Sequence, residues 1–155
     1  MPHETVFVTL HIHTDGPIPG PHSLLTLSSA ACSDGGDLIS TFTTNVRELP
    51  GATLHPVSLE HWRTRAADWL TTRRAARPPA LATDAYLRWI DKLPGPPTLV
   101  TDPVGPDHLF LYWYLHRFAG RWPFARTSTE PDLRRRLPRP LCPLSGCREA
   151  LARTS

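Results

Sequence analysis

The sequence predicts an α/β fold, a mixed central sheet flanked by helices, and two observations carry that prediction. Three stretches near the start, 6–13, 24–32 and 38–44, are alternating or continuously apolar. From residue 58 the apolar spacing changes to three or four residues, returns to a short strand at 98–101, and is helical again at 107–118. Strands, then helices, then a strand and a helix is the order of a mixed sheet with helices packed on it. The chain has 155 residues, 40% of them hydrophobic, which suffices for one domain (1–155) with a buried core.

The elements follow in order. Residues 6–13 alternate and are rich in β-branched side chains, so they read as a strand. Gly16-Pro17-Ile18-Pro19-Gly20-Pro21 breaks that strand into a rigid turn. Residues 24–32 are mostly apolar, as in a strand buried on both faces. Ser33-Asp34-Gly35-Gly36 is a hairpin turn signal leading into a third strand, 38–44. Together these make an antiparallel meander. Leu59, Trp62, Ala66 and Leu70 then predict one amphipathic helix over 58–74, with Ser58 as its N-cap and Pro78-Pro79 as its stop. Thr83 caps a second helix ending at Leu93. The strongly apolar 107–118 is a third helix, with Gly120 just past its end. Residues 127–140 are poorly patterned, and a last short helix spans 144–152.

Composition removes several function classes. No run of 18 apolar residues exists, so no membrane span is expected, and the opening residues lack the pattern of a secretory leader. Of 17 basic residues one is Lys (Lys92), leaving 16 Arg. With a net charge of only +3, that bias reads as genome composition rather than a nucleic-acid surface. Cys32, Cys142 and Cys147 are odd in number and lack CxxC spacing, so a disulfide framework is not expected and a reducing, cytoplasmic compartment is.

Three strings carry a family resemblance: VFVTLHIHTDGPIPGPHSLLTLSSAA, FTTNVRELPGATLHPVSLEHW and PVGPDHLFLYWYLHRFAGRWPF. They resemble, in the same order, the small bacterial DEDD-type 3′–5′ exoribonucleases related to RNase T and oligoribonuclease. The likeness covers residues 5–125 and is weak beyond. It implies an RNase H-like fold, a commonly dimeric protein, and two-metal phosphodiester hydrolysis by four carboxylates and a histidine. The family's Asp-x-Glu pair falls on His11 and His13. Its second-motif Asp falls on Asp107. Its final His and Asp, four residues apart, fall on Cys142 and Gly146. One metal-binding carboxylate of four is kept.

Mg²⁺ wants hard oxygen ligands and charge to cancel its own. Two neutral imidazoles supply neither, so a two-metal magnesium site is not expected. His11 and His13 stand two apart on a strand and share a face. Near neutral pH, imidazoles suit metal-free acid–base work, with Asp107 polarising one of them. The catalytic candidates are therefore His11, His13 and Asp107, and the candidates for substrate contact are Asp15 and Cys142. A softer metal stays open, because two His, Asp107 and Cys142 together suit Zn²⁺. Drift of a lapsed site is the plain alternative. The aromatic side chains of 107–118 read as core, and Arg73-Arg74 and Arg134-Arg135-Arg136 read as solvated helix faces.

Three functions follow. The first is a metal-independent acid–base enzyme acting on a small phosphate- or sulfate-bearing metabolite in specialised metabolism, by elimination or ring closure. The second is a pseudo-nuclease that serves as a subunit of a homo- or heterodimer with a related chain; the short stretch after Cys147 leaves little helix to close the site. The third, not favoured, is nucleic-acid binding without cleavage.

Overall fold

The computed structural model describes residues 5–102, 104–140, 142 and 144. Val6–Thr14 (β1), Leu24–Ser33 (β2) and Leu38–Asn45 (β3) form the antiparallel meander that the sequence predicts. Ser33 and Gly36 close its 33–36 turn by backbone hydrogen bonds. Every β2 residue except Ser33 is buried, as its apolar run implies. Pro97–Val100 (β4) and Arg126–Ser128 (β5) extend the sheet in parallel on the other side of β1. The strand order is β3-β2-β1-β4-β5, a mixed sheet. Pro97 opens β4, a position where a missing amide hydrogen is tolerated.

Several boundaries differ from expectation, each for a physical reason. The single helix expected over 58–74 is two: Pro56–Arg63 (α1) and Ala66–Arg73 (α2). The apolar stripe was misleading, because Leu59 and Leu70 are exposed while Trp62, Asp68 and Thr72 are buried. His55, not Ser58, caps α1, with Nδ1 accepting from the Val57 amide. Pro78-Pro79 starts a helix rather than stopping one. Pro79 occupies the first turn of α3 (Pro79–Asp91), where its fixed φ suits the helix, and Thr83 lies inside it, donating to the Pro79 carbonyl. Pro106–Tyr114 (α4) continues as a π-helical turn, Leu115–Ala119, that ends on left-handed Gly120 (φ 68°). β5 and Pro131–Arg136 (α5) arise from the poorly patterned stretch; β5 is a three-residue, mostly exposed edge strand with no burial alternation to read. The expected helix at 144–152 lies outside the described residues apart from Leu144, which is buried.

Alternation along β1 divides the core. Val6, Val8 and Ile12 pack on one face with Tyr86 and Ile90 of α3 and with Phe110 and Tyr114 of α4. Phe7 packs on the opposite face with Cys32, Val100 and the α5-side residues Leu133 and Leu137. Leu25, Trp62 and Leu144 form a third cluster, against which Cys142 packs. His11 and His13 share the parity of Phe7 and so belong to its face. No helix among the described residues is long and apolar enough to cross a membrane.

Two tyrosines tie helices to the sheet by hydrogen bonds inside the core. The Leu24 amide donates to the Tyr114 hydroxyl at 2.8 Å, and the hydroxyls of Tyr86 and Ser29 lie 2.8 Å apart. Tyr114→Phe leaves the Leu24 amide buried without that partner, so it is expected to cost about 1–3 kcal/mol in urea unfolding. A change below about 0.5 kcal/mol would mean that the amide finds another acceptor.

Candidate active site

The parallel pairing of β1 with β4 ends at Thr9 and Val100. Past that point β1 runs on through His11 and His13, while the chain leaves β4 at Thr101 and Asp102 and turns toward α4. The gap lies at the carboxyl ends of two parallel strands, where open α/β sheets hold ligands. A cavity of about 360 Å³ occupies it, with His11, Thr101, Asp102, Asp107, Arg134, Arg139 and Cys142 in its wall.

Three of the five residues singled out in the sequence meet there: His11, Asp107 and Cys142. His13 stands behind them and does not line the cavity. Its ring centroid is 4.8 Å from that of His11 and 6.1 Å from that of Trp62, and its Nε2 is 3.3 Å from Cys142 Sγ. Asp15 is elsewhere. It is 3% exposed, its carboxylate accepts the Ser23 amide and its carbonyl accepts the His55 amide. It therefore pins the turn after β1 to the approach to α1 and does not reach the cavity. Gly16 beside it has no room for a side chain, since a Cβ would fall 2.2 Å from the His22 ring.

Burial tunes the titrating groups. It pushes the His13 imidazole down to about 4, helped by His11 and His61 and opposed by Asp68. Burial, then the charge of Arg139, lowers His11 as well. Both rings are neutral at pH 7. Burial raises the Asp107 carboxyl to about 6, and the neighbouring charge of Asp102 adds to the shift. Asp102 itself is held low, first by the Val104 amide and then by Arg134. Its Oδ2 lies 3.3 Å from Arg134 Nη1.

Cys142 is disulfide-bonded, and Cys32 is a free, buried thiol. An odd cysteine count excludes complete pairing, not a single bridge. The ligand atoms of His11, His13 and Cys142 lie within 4.8 Å of one another, the metal-ligating group that the described residues offer. Asp107 is not part of it. Zinc there needs the Cys142 thiolate, and therefore a reduced chain. Gly146, aligned with the family's last carboxylate, lies outside the described residues.

Sequence reasoning missed Thr101, Asp102, Arg134 and Arg139. Arg134 is part of a run of three; Arg135 and Arg136 are exposed as expected, while Arg134 turns inward beside the buried Leu133. No spacing rule separates one arginine from its two neighbours. Thr101 ends the strand predicted over 98–101 and Asp102 follows it, and the carboxyl end of a strand was the signal available.

No protein-family model matches the chain, and no curated protein matches it in sequence. Solved structures do match in fold. Escherichia coli exonuclease I in complex with a 5cy-dT13 oligonucleotide superposes with a TM-score of 0.64 at 10% identity, covering 85% of this chain and 29% of that one. Its zinc-bound complex with single-stranded DNA gives the same TM-score, identity and coverage. Schizosaccharomyces pombe Pop2p, in a Mg²⁺- and Mn²⁺-bound form, gives a TM-score of 0.54 at 14% identity, covering 82% of this chain and 57% of that one. The chain thus spans under a third of the exonuclease I structures and little more than half of Pop2p. With the five-stranded mixed sheet, these likenesses show that this chain has the RNase H-like fold of the DEDD-type exonucleases.

Proposed function

We propose that this protein is a metal-independent acid–base enzyme built on an exonuclease fold, acting on a small phosphate- or sulfate-bearing metabolite by elimination or ring closure. One observation carries the reading. A single cavity of about 360 Å³ collects a neutral imidazole (His11), a carboxyl with a pKa of about 6 (Asp107) and two guanidinium groups, Arg134 and Arg139. Neutral His11 accepts a proton from the substrate. Asp107 exchanges one near neutral pH, where proton transfer is most effective. The arginines face the charge that builds on a departing oxyanion. His13, half-buried behind His11, is a positioning residue.

The same donor set does not fit the two Mg²⁺ ions of the exonucleases. By the resemblance, the family's two carboxylates fall on imidazoles; Asp107 is only partly committed to its charged form, and two guanidinium groups share the wall.

The test is turnover in a phosphorylated-metabolite extract containing EDTA, followed by mass spectrometry. Wild-type protein is expected to deplete a defined species, and His11→Ala to slow that depletion about 10²- to 10⁴-fold without shifting the melting temperature by more than a few degrees. Degradation of RNA from its 3′ end in magnesium buffer, abolished by Asp107→Asn, would overturn the reading.

A second reading, binding of single-stranded nucleic acid without cleavage, draws on the oligonucleotide complexes of the similar exonuclease I. It requires that a labelled oligothymidine bind at low salt and release steeply as salt rises. Equal fluorescence anisotropy with and without protein at low salt removes it.

A further inference from the structure

We propose that Thr101, Arg134 and Arg139 form a subsite for a tetrahedral oxyanion, the phosphate or sulfate group of the substrate, at the α5 side of the cavity. The proposal deepens the enzymatic reading, and it can be measured without turnover. Two buried polar atoms lack any hydrogen-bond partner among the described residues, Thr101 Oγ1 and Arg134 Nε, and both residues line this one cavity. Thr101 is 4% exposed, so water does not generally compensate its hydroxyl. Natural structures leave few such groups unsatisfied, and each one calls for an explanation. Here both orphans are donors, and both fall on the wall that carries the cations.

Charge points the same way. Arg134 is half-committed: Nη1 meets Asp102 while Nε is unpaired. A guanidinium has donors on more than one edge, and an oxyanion is the acceptor that matches them. Arg139 makes no ion pair among the described residues, yet it stands near enough to His11 to depress the imidazole's proton affinity. Asp102 and Asp107 share the wall and oppose an anion. Arg134 offsets the first, and the second is partly protonated near neutrality. The arginines, not the histidines, thus receive the anionic group, which leaves His11 free to handle a proton on the remainder of the substrate.

The distinguishing variants are Thr101→Val and Arg134→Lys. Thr101→Val keeps the shape and deletes an unpaired buried hydroxyl. Without ligand it is expected to raise the melting temperature by about 2 °C. A hydroxyl that merely supports the fold would move it the other way. Arg134→Lys keeps the charge beside Asp102 and deletes the Nε donor. Isothermal titration uses inorganic phosphate and inorganic sulfate as separate probes, with chloride holding ionic strength constant. Wild-type protein is expected to bind at least one with a Kd of the order of 1 mM or tighter. Each variant is expected to weaken binding about 10-fold, and Arg139→Ala at least as much. The preferred anion then tells a phosphate ester from a sulfate ester.

No saturable binding of either anion by wild-type protein, or equal affinity in all three variants, overturns the subsite. Anion binding with the expected losses, combined with no turnover of any metabolite, keeps the subsite and removes the acid–base reading. Turnover that depends on His11 but is indifferent to Thr101→Val and Arg134→Lys does the reverse.

Discussion

Asp107→Asn is expected to make the protein more stable at pH 8, by about 1–3 kcal/mol, while removing most of its turnover. The stability gain follows from burial. The folded carboxyl has a pKa of about 6, against an ordinary value of 3.8. Between those values the folded state holds a proton that the unfolded chain has released, so stability falls as pH rises through that window. The penalty is fully present above pH 6 and absent below pH 4. Asn cannot ionise and escapes it. The difference between variant and wild type in urea unfolding should therefore be small at pH 4, grow through pH 6 and level off by pH 8. A difference independent of pH would mean that Asp107 titrates normally. The histidines slope the other way. His11 and His13 are lowered, so they stay neutral in the folded state while the unfolded chain gains protons below about 6.5. Their contribution is present above that pH and is lost on acidification toward 4. Measuring the difference rather than the wild-type curve isolates Asp107 from these opposing slopes. A residue that costs stability yet is required for turnover is the pattern expected of a working site.

Tyr86→Ala is expected to be the most damaging single truncation, at about 3–5 kcal/mol. Tyr86 is fully buried on α3 and packs edge-on against Phe42 and at a tilt against Trp89 and Phe124. The truncation opens a ring-sized cavity and also strips Ser29, at the centre of β2, of its hydroxyl partner. Tyr86→Phe separates the two contributions: it keeps the ring and loses the hydrogen bond, for about 1–2 kcal/mol. Chemical unfolding of the three proteins checks both numbers. A Tyr86→Ala protein that unfolds within 1 kcal/mol of wild type would mean that the core has collapsed around the gap, and that α3 is not clamped to the sheet as the packing implies.

The three-stranded meander, the strand at 97–100 and the apolar helix after it were legible because each has a strong local pattern. β2 is largely apolar and buried at every position but Ser33 because both faces are covered. Helix boundaries were less legible. Pro78-Pro79 is compatible with either a stop or a start, and only the packing of Ala82, Tyr86 and Ile90 on the sheet decides for a start. Leu59 and Leu70 spaced a stripe that faces solvent, a case where tertiary packing overrides periodicity.

What could be read from the chain alone was a chemical inventory: two histidines two apart on a strand, an aspartate at a helix start, and a mixed sheet with helices packed on it. Tertiary structure alone decided which side chains share a cavity. It withdrew Asp15 into a turn, set His13 behind His11 against Cys142, and turned Arg134 inward while its two neighbours stayed in water. The reason is physical. Strand parity and helix position are local properties of the chain, whereas burial, and with it the pKa values and unpaired donors that give the cavity its chemistry, depends on residues as distant as Thr101 and Arg134 meeting across the sheet edge.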